Sequence, residues 1–262
     1  MSLPLAEITV VVTRPPEQAA EFTAELKRFG ANVFSFPTIE IAAPESYADL
    51  DAAIENLQNY DWIIFTSSNA VEHFLSRLTA KNLETAELDY LRVGAVGDAT
   101  AERLRLAQIH IDVLPAESNA ESLFGEIENY VGELADLRFL FPRSEIAREI
   151  LPQKLRAAGA KVDAPVAYRT VLPAKPETAK FKAMLAGGSI DCITFASPSA
   201  FKNFLQIVGD IKLPNDVAIA CIGETTAKAM GESGLKVDIV SPEATSAAFA
   251  LKITNYFVDK VV

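Results

Sequence analysis

The sequence predicts an α/β fold of two similar doubly wound parallel-sheet domains, joined by a two-stranded linker on which the chain crosses between them. Three observations carry this. Short, nearly continuous apolar runs alternate with segments of helical period, the pattern of strands covered by helices on both faces. The chain also repeats itself in order. VVTRPPEQAAEFTAELKRFGANVFSFP from Val11 matches FLFPRSEIAREILPQKLRAAGAKVDAP from Phe139, and DWIIFTSSNAVEHFL from Asp61 matches DCITFASPSAFKNFL from Asp191. VGAVGDATAERL from Val93 matches IACIGETTAKAM from Ile219, and HIDVLPAESNAESL from His110 matches KVDIVSPEATSAAF from Lys236. Finally, each copy continues after its second strand in extended-looking sequence broken by Pro37 or Pro165, and proline is poorly tolerated in a central strand.

The elements follow in order. Ile8 to Thr13 is a β-branched run, and Pro15 and Pro16 suit the start of a helix that carries Ala20, Phe22, Leu26 and Phe29 and ends at Gly30. Strands are then expected at Asn32 to Phe36, Trp62 to Thr66, Arg92 to Val96 and Ile111 to Leu114. The second copy gives Leu137 to Phe141, Lys161 to Ala164, Cys192 to Ala196, Ala218 to Ile222 and Val237 to Val240. TIEIAAP from Thr38 and VAYRTVLP from Val166 read as connectors leaving the sheets. The expected domains are therefore flavodoxin-like: residues 1–36 with 173–262 form one, residues 45–164 the other, and 37–44 and 165–172 are the linker strands.

Composition narrows the function. With 24 basic and 35 acidic residues the net charge is -11, which argues against a nucleic-acid or membrane-surface binder. The N-terminus lacks a basic stretch before its apolar run, and no run approaches the ~18 apolar residues of a membrane span, so a cytoplasmic protein is expected. Cys192 and Cys221, the only cysteines, lie in strand-like runs and read as buried, inert thiols. The two histidines, His73 and His110, face Asn203 and Lys236 in the repeat, which argues against both as catalysts.

Ligands of open parallel sheets bind beyond the carboxyl ends of the strands, where helix N-termini present free N–H groups. This chain loads those turns with small polar residues: Thr66-Ser67-Ser68-Asn69, Gly97-Asp98-Ala99-Thr100 and Ser118-Asn119 in one copy, Ser197-Pro198-Ser199, Gly223-Glu224-Thr225-Thr226 and Thr245-Ser246 in the other. Capping alone accounts for any single one of them. Six such turns facing one cleft between the two modules would offer hydroxyl and backbone donors to a ligand rich in carboxylates. Arg14 and Arg143 follow the first strand of each copy and read equally as carboxylate binders or as packing residues at the turn. Tyr168, on the second connector, reads as a proton donor or as an aromatic pinning a hinge. TRPPEQ has no glycine, so the dinucleotide fingerprint is missing, and no phosphate-binding loop, nucleophile elbow or metal-ligand cluster is present.

Together VVTRP, IIFTSSNAV, VGAVGDATA, LFPRSEIAREILPQKLRAAGA, VAYRTV, ITFASPSAF and IGETTAKAM, in this order and duplicated, resemble the uroporphyrinogen-III synthase family over essentially the full length. The resemblance implies a cyclising lyase of tetrapyrrole biosynthesis that converts hydroxymethylbilane, a linear tetrapyrrole with eight carboxylates, to uroporphyrinogen III. Water is lost and ring D is inverted through an azafulvenium cation and a spiro-pyrrolenine, with no cofactor and no metal. By the same resemblance Tyr168 is the acid that helps the hydroxyl leave, Thr100 and Thr226 match the threonines after the glycine turns, and Ser67, Ser68, Ser197 and Ser199 contact carboxylates. Asn69, Gly97, Gly223 and Thr225 belong to the same substrate-binding turns, with Arg14 and Arg143. A monomer is expected, with a transient contact with the preceding pathway enzyme left open. The alternative is a two-lobed, hinged small-molecule binder without catalysis; a nicotinamide-dependent enzyme is disfavoured by the missing glycines.

Overall fold

The computed structural model describes residues 3–261. In chain order the elements are β1 (Thr9–Val12), α1 (Pro16–Arg28), β2 (Asn32–Ser35), β3 (Glu40–Ala42), α2 (Ala48–Ile54), β4 (Trp62–Phe65) and α3 (Ser68–Ala80). There follow β5 (Arg92–Ala95), α4 (Asp98–Leu106), α5 (Ala120–Val131), β6 (Arg138–Leu140), β7 (Arg143–Ser144), α6 (Ile150–Ala157), β8 (Lys161–Asp163) and β9 (Val166–Val171). The chain ends with α7 (Thr178–Ala186), β10 (Cys192–Phe195), α8 (Pro198–Val208), β11 (Ala218–Ile222), α9 (Glu224–Glu232), β12 (Ile239–Ser241) and α10 (Ser246–Val261). Its contacts divide it into two units, residues 1–40 with 171–262, and residues 41–170.

The first unit holds a five-stranded, all-parallel sheet in the order β2-β1-β10-β11-β12. Counted along the chain this is 2-1-3-4-5, the flavodoxin-like order, whose ligand crevice opens where the winding reverses, between β1 and β10. The second unit holds β5-β4-β6-β8, also parallel, and Val113 bridges Gly94 beyond β5. Matched through the repeat, this is the same spatial order with the chain entering at the third strand. Each unit thus takes two strands from one copy and the remainder from the other.

Alternation along each strand explains why every sheet is covered twice, because successive side chains point to opposite faces. Val10, Val12 and Cys192 pack with Phe22 of α1 and Phe249 of α10, while Val11 and Ile193 pack with Phe181, Phe204 and Met230 of α7, α8 and α9. In the second unit Ile63 and Phe65 face α2, α3 and α4, and Trp62 and Ile64 face α5 and α6. Each fully buried large side chain contributes roughly 1.5–3 kcal/mol relative to exposure, so the four faces are the principal stabilising term.

Two features differ from the sequence expectation. Ile111 to Leu114 forms no strand, only the single bridge at Val113. Its counterpart β12 pairs through Ser241, whereas the matching residue in the first copy is Pro115, which has no N–H to continue the ladder. The extended segments at 37–44 and 165–172 contain β3 and β9, yet they lie in a three-stranded sheet, β3-β9-β7. The third member is two residues long and pairs in parallel with β9 through a register shift at Arg143 and Ser144.

At the opposite, amino-terminal edges of the main sheets, four aspartates repeat one device. Asp191 donates its N–H to the Thr9 carbonyl, accepts the Thr9 N–H on its carboxylate at 2.7 Å, and offers its own carbonyl to the Ala218 N–H. Asp61 does the same with Arg138, at 2.8 Å, and with Arg92. Asp112 and Asp238 hold the N–H groups of Val93 and Ile219 at 2.7 and 3.0 Å. In each of the first two cases the aspartate of one copy grips a strand of the other. The bond to Thr9 is the less exposed. Asp191→Ala is therefore expected to lower the unfolding free energy by about 1.5–3 kcal/mol and Asp61→Ala by less, because water reaches the freed Arg138 N–H, as urea denaturation of the two variants will show.

Candidate functional site

In the second unit the carboxyl ends of β4 and β6 open onto the turns that carry Ser67, Ser68, Asn69 and Arg143. Ser67 is the N-cap of α3, accepting the Asn69 N–H at 3.1 Å. Its hydroxyl has a second partner, the Tyr168 phenol, at 3.0 Å. Tyr168 lies on β9 and is 7 % exposed. Its backbone is pinned by β7, since Glu145 donates its N–H to the Tyr168 carbonyl at 3.1 Å. Tyr168 also packs against the buried apolar cluster beneath α2, α3 and α4. Tyr168 thus combines a buried ring with a hydroxyl held on Ser67.

Gly97 and Gly223 open α4 and α9 with φ of 84° and 74°, a left-handed conformation that disfavours any side chain with a Cβ. Three residues on, Thr100 and Thr226 turn inward and are each 3 % exposed, while Thr225 is exposed. Ser68 and Asn69 are half-buried on the first turn of α3. In the first unit Ser197 caps α8, accepting the Ala200 N–H at 3.1 Å, and its hydroxyl lies 3.0 Å from that of Ser199. The capping role foreseen for single serines therefore holds for Ser67 and Ser197, and each hydroxyl keeps a further contact.

The two arginines part company. Arg143 forms an ion pair with Glu149 and also donates to the Ala147 carbonyl at 3.4 Å, so its charge is already met within the second unit. Arg14 has no ion pair among the described residues; burial pulls its pKa below the usual arginine value, against the attraction of Glu21. It stays charged, and a half-buried cation without a counter-ion in an acidic chain is a strong carboxylate-seeking group. Glu149 was not readable from sequence, because a pair bridging an irregular turn has no period.

Three further features escaped the sequence reading. A cavity of about 250 Å³ lies at the carboxyl edge of the second unit, lined by Thr66, Ser118, Asn119, Phe141, Arg148 and Leu151 among others. Arg148 is exposed and, among the described residues, forms no ion pair. His73 lies against Tyr168, with ring centroids 5.7 Å apart and planes at 22°. Tyr47 places its hydroxyl 3.1 Å from His73 Nδ1. Both thiols are buried, and burial pushes Cys221 up to about 11 and Cys192 further in the same direction, so neither is a nucleophile at neutral pH. No group of three or more His, Cys, Asp or Glu side chains among the described residues could hold a metal, and none of the described helices is long and apolar enough to cross a membrane.

Comparison with known proteins places these observations. The family model described as "Uroporphyrinogen-III synthase HemD" matches residues 20–250. A uroporphyrinogen-III synthase of Chlorobaculum parvum is 36% identical over 249 residues, covering 94% of this chain and 98% of its own. That of Synechococcus elongatus is 33% identical over 262 residues, covering 97% of each. The fold is shared with the crystal structure of uroporphyrinogen-III synthetase from Helicobacter pylori, at 18% identity and a TM-score of 0.61, over 96% of this chain and 99% of that one. With its two flavodoxin-like units and a family match spanning nearly all of its length, this chain belongs to the uroporphyrinogen-III synthases, cyclising lyases of porphyrin biosynthesis.

Proposed function

We propose that this chain closes hydroxymethylbilane to uroporphyrinogen III, with Tyr168 as the proton donor to the departing hydroxyl. The observation that carries the assignment is the 3.0 Å contact between the Tyr168 phenol and Ser67 Oγ at the carboxyl end of β4. Because the Ser67 oxygen already accepts from the Asn69 N–H, its own O–H is free to donate to the phenol oxygen. That is the arrangement a phenol needs when it gives up its proton, since the O–H then stabilises the phenolate left behind.

The chemistry balances without any other reagent. The hydroxyl of the ring-A hydroxymethyl group leaves as water, taking the Tyr168 proton, and the pyrrole nitrogen's electron pair stabilises the methylene left behind as an azafulvenium cation. Ring D attacks through its already substituted α-carbon, giving a spiro-pyrrolenine, which breaks on its other side and closes in the inverted sense. The ring proton lost on rearomatisation restores the phenol. Most of the work is orientation, because the unaided substrate closes without inversion.

Carboxylate binding is assigned to the turns at the carboxyl ends of the strands and to the arginines beside them. Arg14, Ser197, Ser199, Gly223, Thr225 and Thr226 serve in the first unit, where Arg14 forms no ion pair among the described residues. Ser68, Asn69, Gly97 and Thr100 serve in the second, joined by Arg148 and Ser118 of the cavity. Arg143 contributes by exchanging Glu149 for a substrate carboxylate, and acts later in this reading than Arg14. A monomer working in the cytoplasm belongs to the same proposal. Incubation with freshly prepared hydroxymethylbilane tests it: uroporphyrin III after oxidation is the expected product, and type I alone would overturn the reading.

A further inference from the structure

One aromatic contact of Tyr168 is unaccounted for by the reaction. His73 sits on α3, six residues after the capping Ser67, and its ring lies against the Tyr168 ring at 5.7 Å and 22°. Tyr47 fixes the imidazole, its hydroxyl 3.1 Å from Nδ1. One turn further along α3, Arg77 covers the Tyr47 ring at 4.6 Å. Arg77 is locked by two bonds to Asp51 of α2, at 2.6 and 2.8 Å. An unbroken series of contacts therefore runs from α2 to the phenol.

We propose that His73 is a positioning residue, holding the Tyr168 ring in the rotamer that keeps its hydroxyl on Ser67, with Tyr47 and the Arg77–Asp51 pair holding His73 in turn. The inference rests on Tyr168 as the proton donor. Three observations favour it over simple packing. Ser67 fixes the tip of the phenol and the buried cluster one side of its ring, so the imidazole is the partner that closes the other face. The matching position of the other copy grips the matching segment: Asn203 of α8 donates to the Thr38 carbonyl at 3.1 Å, two residues before Glu40, the counterpart of Tyr168. Burial pushes the His73 pKa below its usual value, opposed by Glu72, which favours the neutral ring against the phenol. A neutral imidazole protonated on Nε2 can accept the Tyr47 O–H at Nδ1, and it places no cation beside Tyr168, where a charge would hold the phenolate and suppress its recharging.

The test is a double-mutant cycle with the full chain and hydroxymethylbilane, reading kcat, KM, the ratio of type III to type I product, and the thermal midpoint of each variant. His73→Ala is expected to lower kcat about five- to twentyfold and to raise the share of type I product, with KM changed less than about twofold, since a displaced donor costs rate more than binding. His73→Phe, which keeps a ring against Tyr168, is expected to recover kcat to within about threefold of the parent. In a Tyr168→Phe background, His73→Ala is expected to cost nothing further, because the group it positions is gone. An equal loss from His73→Ala in both backgrounds overturns the proposal, as does an unchanged kcat in the parent background, or a His73→Phe variant as slow as His73→Ala at the same thermal midpoint. The two layers fail separately: a slow Tyr168→Phe with a full-rate His73→Ala removes the positioning role alone. A full-rate, isomerically pure Tyr168→Phe removes the proton donor and the positioning role together.

Discussion

Tyr168→Phe is expected to lower kcat for type III closure about 10- to 100-fold, with KM changed less than about twofold, and to leave a growing share of type I product as released substrate closes unaided. The size follows from the step assisted. General acids contribute about 10²–10⁴-fold where the leaving group departs poorly by itself. Here the pyrrole nitrogen already drives the hydroxyl out, so the acid's share falls to the low end of that range and below it. Phenylalanine keeps the ring that packs between the buried cluster and His73, removing only the hydroxyl that meets Ser67. Stability should therefore change little, and a loss of rate reports the proton rather than the fold. Ser67→Ala makes the complementary case: it removes both the phenolate's donor and the α3 cap, so it should combine a smaller loss of kcat with about 1 kcal/mol of stability. Should Tyr168→Phe keep full rate and full isomer purity, no proton passes through that phenol.

What the sequence made legible follows from where the physics is local. The strands could be read because β-branched runs such as Thr9–Val12 and Cys192–Phe195 must bury both faces, and the helix starts because Ser67, Ser197 and Asn119 cap by hydrogen bonds within three residues. The repeat paired Asp61 with Asp191 and Arg14 with Arg143, but a repeat shows equivalence of place and not of partner. Thus the aspartates share one device, while Arg143 is paired with Glu149 and Arg14 has no ion pair among the described residues. β7 was unreadable: Arg143 and Ser144 follow a proline, show no alternation, and become a strand only because β9 lies alongside. The importance of His73 was missed for a related reason. Its counterpart is Asn203, a different chemistry, and only the folded structure brings both positions to the connector segments. The one local hint was the i, i+4 spacing of His73 and Arg77, which puts both beside Tyr47.

The repeat also sets where the fold is most vulnerable. Phe65 and Phe74 meet edge to face at 5.5 Å in the second unit, and the matching Phe195 and Phe204 meet at 5.2 Å in the first. Around Phe204 the first unit adds Phe36 at 5.9 Å and Phe181 at 5.4 Å, which themselves stack at 4.7 Å. Both Phe74 and Phe204 are fully buried, so truncating either removes the same transfer free energy and leaves a comparable cavity. The difference lies in the neighbours, since each aromatic pair is worth about 0.5–1.5 kcal/mol beyond area. Phe204→Ala is therefore expected near the top of the roughly 3–5 kcal/mol range for a buried phenylalanine, and Phe74→Ala near the bottom. Phe204→Leu should recover more than half of the loss, because a branched aliphatic fills most of the space under β1 and β10. Urea denaturation followed by circular dichroism measures all three, with fits that allow for the two units unfolding separately. A cost below about 1 kcal/mol for Phe204→Ala would mean that α7 and α8 collapse into the cavity, which the remaining buried rings of Phe36, Phe181 and Phe195 should prevent.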